Sequence, residues 1–448
     1  MVESGATKER GMARVVRPNR EQLRWDLVDP EAWLPANDRA RLVWGFIETL
    51  ELAPLYDKVK ARDGEPGRPP ADPAVHLALW LLATIEGVGS ARELDRISDR
   101  DLAYRWLSCG VPINYHGLAD FRVAHADVLD ELLTKSLTVF IAEGLVDVDE
   151  IIVDGTKVQA SAGRNSFKRA VRLAEAETAA RERVAQLKAE VDADPASSSK
   201  RKTAARERAA RETEKRIAKA RATLAAIEKE KDQRAKRSPK EVTEQKEARA
   251  SLTDAEARRM RFADGAIRAA YNVQLATTSD HGFITGVRAT DRRNDSGLGR
   301  PMVEESERRT GRRVKRLLAD TGYASVADIA ALGSRPDHPV AVYVPPPPDK
   351  EKSKPESVAV REKKRAREPE VVKEWRKRMA SGEGEAVMER RGRIERVNAQ
   401  LKSRGLGTLL VRGLAKTQAV ALWHALGHNL VTALRLRAAS VAAAAVAA

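Results

Sequence analysis

The sequence predicts a mixed α/β protein that has an all-helical N-terminal domain and a charged helical hairpin inserted into its α/β part. Three observations support this fold class. Apolar residues recur at helical spacing up to Gly144, β-branched runs begin after Asp147, and an alanine-rich, highly charged stretch follows Ser166. The predicted domain boundaries are 1–145 for the helical domain, 146–165 with 251–438 for the α/β core, 166–250 for the hairpin, and 439–448 for a tail.

Composition restricts the partners and the chemistry. The chain has 448 residues, with 81 Lys and Arg against 65 Asp and Glu, and a net charge of +16. This surplus favours a polyanionic partner such as nucleic acid. The single cysteine excludes a disulfide framework, and the absence of a GxxxxGK[ST] loop disfavours ATP-driven chemistry. No apolar stretch approaches about 20 residues, so we expect a soluble protein that is neither exported nor bound to a membrane.

The N-terminal domain is predicted from several helices between Ala74 and Gly144. Ser90 is a typical helix-capping residue, and Gly87 and Pro112 are breakers that mark joins between helices. A further helix is expected earlier in the chain, after a cap near Asp38. The predicted domain is therefore entirely helical.

The α/β core is predicted from short β-rich runs. DVDEIIVDGTKVQASA indicates a strand that carries Asp154, and AYNVQLATTSD with GFITGVRATD is typical of a hairpin. RRVKRLLADTGYAS indicates a buried strand that ends at Asp320, and HPVAVYVPPPP indicates a strand that the prolines stop. Helical runs at PMVEESERR and SVADIAALG complete a mixed sheet with helices.

Two segments interrupt this core. The first, 166–250, contains 24 Lys and Arg and 15 Asp and Glu, with a thin apolar stripe on each side of DADPASSS. We predict two long helices folded back as an antiparallel hairpin, and the alternative is a solvated, partly disordered arm. The second, 349–389, is rich in Lys and Arg and is predicted to be a basic linker or an exposed basic helix.

Three acidic residues have neighbours that would direct a carboxylate towards a shared site: Asp154, Asp320 and Glu395. Asp154 and Asp320 each follow an apolar run and precede a glycine, which predicts side chains near the ends of buried strands. Carboxylate oxygens are the ligands that Mg²⁺ and Mn²⁺ prefer. The alternative is that each Asp caps a turn.

The helix around Glu395 is predicted to have two distinct faces. At 100° per residue a polar stripe lies near Glu395, and an apolar stripe lies about a quarter-turn away. The polar stripe consists of Arg391, Asn398 and Lys402, and the apolar stripe consists of Ile394, Val397 and Leu401. An acid beside two cations suits a metal and a DNA backbone, so Arg391, Asn398 and Lys402 are predicted DNA-binding residues. The alternative is an ordinary surface salt-bridge pattern.

These motifs resemble those of the DDE transposases of bacterial insertion sequences, in the group with a Tyr/Arg/Glu/Lys signature around the last acid. DGTKVQASA is similar to the first acidic motif, ADTGYAS to the second, and AYNVQLATTSD to the hairpin. Arg391, Glu395 and Lys402 have the signature spacing, whereas Met388 occupies the tyrosine position. GRPPADPAVHLALWLLATIEG and the residues up to LADFR resemble the helical N-terminal domain of these proteins.

The resemblance implies an RNase H-like catalytic core in which Asp154, Asp320 and Glu395 are catalytic and bind two Mg²⁺ or Mn²⁺ ions. It implies metal-dependent DNA strand cleavage and strand transfer at the ends of the insertion sequence. The partners would be double-stranded DNA, both transposon ends and target, and further copies of the chain in a homodimer or higher oligomer. The N-terminal helices would bind DNA and support dimerisation, and the site of action would be the bacterial cytoplasm, at the nucleoid.

Two other classes of function remain open at this point. A transposase-derived protein could bind DNA without catalysing recombination, and Met388 in place of tyrosine is compatible with that alternative. A helical scaffold organised by the charged hairpin would explain the insertion but not the three acids. DNA binding and nicking assays distinguish an active transposase from the DNA-binding protein that does not catalyse recombination.

Two further signals carry less weight. His424 and His428 have the i,i+4 spacing of a metal pair, but no third ligand is suggested nearby, so we expect them on the polar side of the C-terminal helix. Asn294 and Asp295 follow a strand run, and an Asx turn explains them as well as a site does.

Overall fold

The computed structural model describes residues 29–59, 61, 70–193, 200–237, 247–348 and 355–447. The predicted basic leader and most of the predicted DADPASSS break lie outside these residues. Within them the chain is a mixed α/β protein with a helical N-terminal region, which confirms the predicted fold class at that level.

The described residues of the N-terminal region form seven α-helices. They are α1 (Arg39–Glu48), α2 (Ala53–Tyr56), α3 (Pro73–Glu86), α4 (Ala91–Ser98), α5 (Leu102–Ser108), α6 (Tyr115–Ala124) and α7 (Ala126–Ala142). Helix α3 is apolar along nearly its whole length and is buried at the centre of this region. Among the described residues no single helix is long and apolar enough to cross a membrane; α3 and α4 pass only as a pair bent by 107°.

Six strands form the central sheet. They are β1 (Glu150–Gln159), β4 (Arg258–Arg261), β5 (Ile267–Thr278), β6 (Ile284–Thr290), β7 (Arg316–Ala319) and β8 (Ala341–Tyr343). β1 lies at the centre, with antiparallel β5 on one side and parallel β7 on the other, and β8 extends the sheet beyond β7. β4 and β6 pair with successive parts of β5. The predicted hairpin is confirmed as β5 and β6.

β1 lies within the predicted run DVDEIIVDGTKVQASA and ends at Gln159. Asp154 lies in the middle of this ten-residue strand, because β5 pairs with it as far as Gln159. β7 pairs with β1 only up to Val153. The prediction of a strand-end position is therefore wrong for β1 as a whole, although Asp154 does stand where the parallel pairing stops. Asp320 directly follows the last residue of β7, as predicted.

The charged insertion is a pair of long antiparallel helices. α8 (Ala170–Ala193) packs against α9 (Lys200–Arg237), and a short antiparallel pair, β2 (Phe167–Lys168) with β3 (Ala250–Ser251), closes their base. The carboxylate of Glu177 in α8 forms an ion pair with the guanidinium of Arg221 in α9. This confirms the predicted hairpin.

The C-terminal part returns to the sheet. It contains α10 (Gly299–Thr310), α11 (Val326–Gly333), α12 (Pro355–Ala366), α13 (Glu370–Met379), α14 (Gly382–Met388), α15 (Arg393–Leu401) and α16 (Leu414–Ala447). The segment 349–389, predicted as a basic linker or an exposed basic helix, is largely helical in its described part, from 355 to 389. Its α13 is part of the packed core, because Val372 and Trp375 are buried and the Trp375 indole donates to the Val344 carbonyl at 3.0 Å.

Candidate active site

Asp154 and Asp320 lie side by side on neighbouring parallel strands. Val153 pairs with Ala319 in the register of β1 and β7, so the next residue on each chain is an aspartate. Neighbouring strands are about 4.8 Å apart, and side chains alternate between the two faces of a sheet. Both carboxylates therefore project on the same face, the one covered by α15 and α16.

Helix α15 is held firmly over this face. Its apolar stripe, Ile394, Val397 and Leu401, is buried in the main core as predicted. The chain after α15 then returns to β1, where the Gln159 amide donates to the Gly407 carbonyl at 3.0 Å. Both the buried stripe and the return to β1 fix the polar side of α15 near Asp154.

Asn398 connects α15 to Asp154 directly. Its Nδ2 donates to Oδ2 of Asp154 at 2.7 Å, and Asn398 itself is buried. A buried amide is poorly placed to contact a DNA backbone, and the DNA contact of Asn398 stays a prediction. Burial and the nearby Asp320 carboxylate raise the pKa of Asp154 to about 6, against lowering contributions from the Gly155 amide and Arg391.

Glu395 lies on the exposed side of α15 and is paired with Arg391. The two side chains are 2.7 Å apart, and the Glu395 side chain is 64% exposed. Lys402 follows the helix and is also exposed. In the part of the chain that the structure describes, no three acidic, histidine or cysteine side chains converge as metal ligands. Asp154 and Asp320 are thus side by side, whereas Glu395 is paired with Arg391.

A fourth acid, Asp295, lies over Gly155, on the opposite face of the sheet from the Asp154 side chain. It lies in the loop between β6 and α10, and its Oδ1 accepts hydrogen bonds from Nδ2 of Asn272 at 2.7 Å and from Nε2 of Gln274 at 2.8 Å. A Cβ atom added at Gly155 would clash with the Asp295 and Gln274 side chains. Asp295 therefore packs over Gly155, the residue that follows Asp154.

Sequence reasoning did not assign Asn272, Gln274 and Asp295 to the site. The usable signal was in β5, where Asn272 and Gln274 are two residues apart and so share one face of an otherwise apolar strand. Both are almost completely buried. Polar side chains on one face of a buried strand need a partner, and here that partner is Asp295.

The donor set around Asp154 suits a hard divalent cation. It contains the carboxylates of Asp154 and Asp320 and a buried amide oxygen, Oδ1 of Asn398, that has no hydrogen-bond partner among the described residues; a second such oxygen, Oδ1 of Asn272, lies on the opposite face of the sheet. Oxygen ligands of this kind suit Mg²⁺ or Mn²⁺, and unpaired buried oxygens can accept from water bound to an ion. The side chains around Asp154 are therefore of the chemical kind that such an ion binds.

Met388, at the signature tyrosine position, is the last residue of α14 and packs against the main core. His424 and His428 are both buried within α16, so the prediction that they line its polar side is wrong. Burial lowers the pKa of His424 to about 3 and that of His428 to about 4. The reason is that helices and β6 surround α16, a long-range arrangement that helical spacing alone does not reveal.

Comparison with known proteins yields two family matches. Residues 246–430 match the family model described as Transposase DDE domain, and residues 28–123 match the one described as Transposase domain (DUF772). Asp295, Asp320 and Glu395 lie inside the first match, and Asp154 lies outside both. No curated protein and no solved structure matches the chain.

Proposed function

Because the chain belongs to the DDE-type transposases of insertion sequences, a family whose general activity is DNA cleavage and strand transfer, we propose that Asp154, Asp320 and Glu395 are its three catalytic carboxylates. The observation that carries this proposal is the parallel register of β1 and β7, which sets Asp154 beside Asp320. The hydrogen bond from Asn398 then brings the helix of Glu395 to the same face.

Members of this family generally use divalent metal ions. We propose two Mg²⁺ or Mn²⁺ ions, held by Asp154, Asp320 and Glu395. Such ions activate water or a 3′-hydroxyl and stabilise the departing oxygen of a phosphodiester. Glu395 must exchange Arg391 for a metal ion in this proposal, and its exposed position on α15 permits that exchange.

The neighbouring side chains have separate tasks in this proposal. Asn398 holds Oδ2 of Asp154, and Arg391 and Lys402, on the same side of α15 as Glu395, contact the DNA backbone. Arg391 already acts on the site electrostatically, since its charge lowers the pKa of Asp154. Released from Glu395, its guanidinium would be available to bind a phosphate.

The remaining parts of the proposal follow from the family and from the strand order. The antiparallel strands on one side of β1 and the parallel strands on the other support an RNase H-like core. The DNA partners are the ends of the element and its target, bound by a homodimer or higher oligomer through the N-terminal helices. The DNA substrate implies action in the bacterial cytoplasm, at the nucleoid. We also propose that the chain belongs to the group of these transposases with the Tyr/Arg/Glu/Lys signature.

A nicking assay tests the proposed residues. Labelled duplexes that carry the ends of the element are incubated with Mg²⁺ and the wild-type chain or Asp154→Asn, Asp320→Asn or Glu395→Gln. We expect each variant to bind the duplex but to nick it at least a hundredfold more slowly. Asp264→Asn is the matched control, because Asp264 is an exposed acid paired with Arg268 away from the site. Wild-type nicking rates in the site variants would refute the assignment, and a wild type that binds without nicking would support the inactive DNA-binding alternative.

A further inference from the structure

One carboxylate oxygen of Asp295 accepts two hydrogen bonds, and the other accepts none from the described residues. Oδ1 accepts from both Asn272 and Gln274, whereas Oδ2 has no hydrogen-bond partner among the described residues. The described part of the chain also places no cation in a salt bridge with Asp295. The two hydrogen bonds to Oδ1 therefore fix the side chain, and Oδ2 is left without a hydrogen-bond donor among the described residues.

The two amides that hold Asp295 are themselves fixed. Gln274 accepts a short hydrogen bond at Oε1 from the hydroxyl of Tyr323, which leaves Nε2 to donate to Asp295. Tyr323 lies three residues after Asp320, in the turn that Asp320 caps. Burial and then the charge of Asp295 raise the pKa of Tyr323, so it remains a protonated donor. A continuous chain of hydrogen bonds thus ties Asp295 to the Asp320 turn.

Gly155 allows Asp295 to come this close, and Gly322 lies beside both Asp295 and Asp320. A Cβ at Gly155 would overlap Oδ1 of Asp295 and would lie 2.8 Å from Oδ1 of Asn272. A Cβ at Gly322 would lie 2.9 Å from Oδ1 of Asp320 and 3.5 Å from Oδ2 of Asp295. Oδ2 of Asp295 and the carboxylate of Asp320 therefore flank the same small space at the end of β7.

We propose that Asp295 is a fourth carboxylate of the divalent-metal site, and that its Oδ2 binds the same ion as Asp320. This inference rests on the proposed function and adds a residue to it. Asp154 and Asp320 project on the face of the sheet that α15 covers. Asp295 lies on the other face, over Gly155, and approaches Asp320 just beyond the last residue of β7.

A turn-capping role does not account for these contacts. A cap needs one carboxylate oxygen and a nearby backbone amide, whereas both donors to Oδ1 are buried side-chain amides of β5. Asn272 is 99% buried, and its Oδ1 has no hydrogen-bond partner among the described residues. This oxygen lies next to Gly155, as Asp295 does. Buried polar groups without partners are costly, and water bound to an ion at Asp295 would satisfy Oδ1 of Asn272.

The test measures Mn²⁺ binding to the full chain by electron paramagnetic resonance, without relying on catalysis. Asp295→Asn keeps an oxygen that can accept from Asn272 and Gln274 and replaces the second oxygen with an amide, so we expect the melting temperature to stay within a few degrees. We expect Mn²⁺ affinity to fall by about 10-fold to 100-fold. Asp264→Asn should bind Mn²⁺ like the wild type.

A second variant covers the case in which Asp295→Asn does not fold. Gln274→Leu removes one donor to Oδ1 and should weaken Mn²⁺ binding by a smaller factor, while Gln186→Leu, in the distant α8, should leave it unchanged. Wild-type Mn²⁺ affinity in folded Asp295→Asn, with weakened binding in Asp154→Asn and Asp320→Asn, would overturn this inference alone. Unchanged Mn²⁺ binding in all three variants would overturn the proposed function as well.

Discussion

Nδ2 of Asn398 donates to Oδ2 of Asp154 at 2.7 Å, which joins helix α15 to the central strand across 244 residues of sequence. Asp154 lies next to Asp320, and Glu395 is one turn from Asn398 on the same helix. This hydrogen bond therefore helps to position Glu395 on α15 relative to Asp154 and Asp320 at the strands. Its loss should disturb the site without removing any of the three acids.

Asn398→Ala is expected to lower the nicking rate by about 10-fold to 100-fold, the usual effect of losing a residue that orients a metal ligand. DNA affinity should change little, because Asn398 is buried. Nicking rates and DNA affinities measured side by side check this. Asn398→Asp retains the size of the side chain but adds a charge beside Asp154, so it should impair nicking at least as strongly. If Asn398→Ala instead lowered DNA affinity and left the nicking rate of bound DNA unchanged, the result would support a direct DNA contact by Asn398.

The raised pKa of Asp154 predicts a pH-dependent difference in stability. Between about pH 4 and pH 6 the folded chain binds more protons at Asp154 than the unfolded chain does, so this group stabilises the fold at low pH and loses that contribution as pH rises through 6. In EDTA, Asp154→Asn should therefore exceed the wild type in free energy of unfolding by about 1–3 kcal/mol above pH 6. The difference should shrink towards pH 4.

Urea unfolding of both proteins from pH 4.5 to 7.5 measures this difference. Asp264→Asn, with an exposed carboxylate, serves as the control for the general effect of removing a negative charge. A gap between wild type and Asp154→Asn that does not vary with pH would contradict the assigned environment of Asp154.

Arg391→Ala is expected to affect DNA binding more than stability. Its ion pair with Glu395 is largely exposed on the glutamate side, and exposed pairs contribute about 0–1 kcal/mol. If Arg391 contacts a phosphate, DNA affinity should fall and the slope of log affinity against log salt should decrease by about one unit. Arg437→Ala, which breaks another exposed pair with Glu143, is the matched control. An equal effect of both substitutions would argue against a specific contact by Arg391.

The charged hairpin should be removable without loss of the core. β2 and β3 pair at its base, with Phe167 opposite Ser251, so a turn of a few glycine and serine residues can replace 170–247. We expect the shortened chain to fold with a melting temperature within several degrees of the wild type. Circular dichroism should show a reduced helical signal with one cooperative transition. An unfolded or aggregated product would show that the core needs the hairpin.

Local sequence patterns predicted much of the fold. The β-branched runs predicted β1, the β5–β6 hairpin and β7, and the apolar stripe of α15 predicted its buried face. The mid-strand position of Asp154 was not predicted, because Gly155 and Lys157 interrupt the apolar run of β1 and β5 supplies the pairing. That pairing is a long-range property of the sheet.

The candidate site was predicted only in part for a similar reason. Asp154, Asp320 and Glu395 each have a recognisable local motif, whereas Asp295 is in a segment that reads as an ordinary turn. Its partners Asn272 and Gln274 belong to another strand, and the contact depends on the missing side chain of Gly155. Only the folded sheet brings these residues together.

The most direct test of the account is the position of Mn²⁺ in crystals of the wild-type chain, located by anomalous diffraction. The account predicts an ion bound by carboxylate oxygens of both Asp154 and Asp320 at about 2.1 Å. Mn²⁺ bound only elsewhere on the chain, or no ion at these aspartates at a saturating concentration, would contradict it.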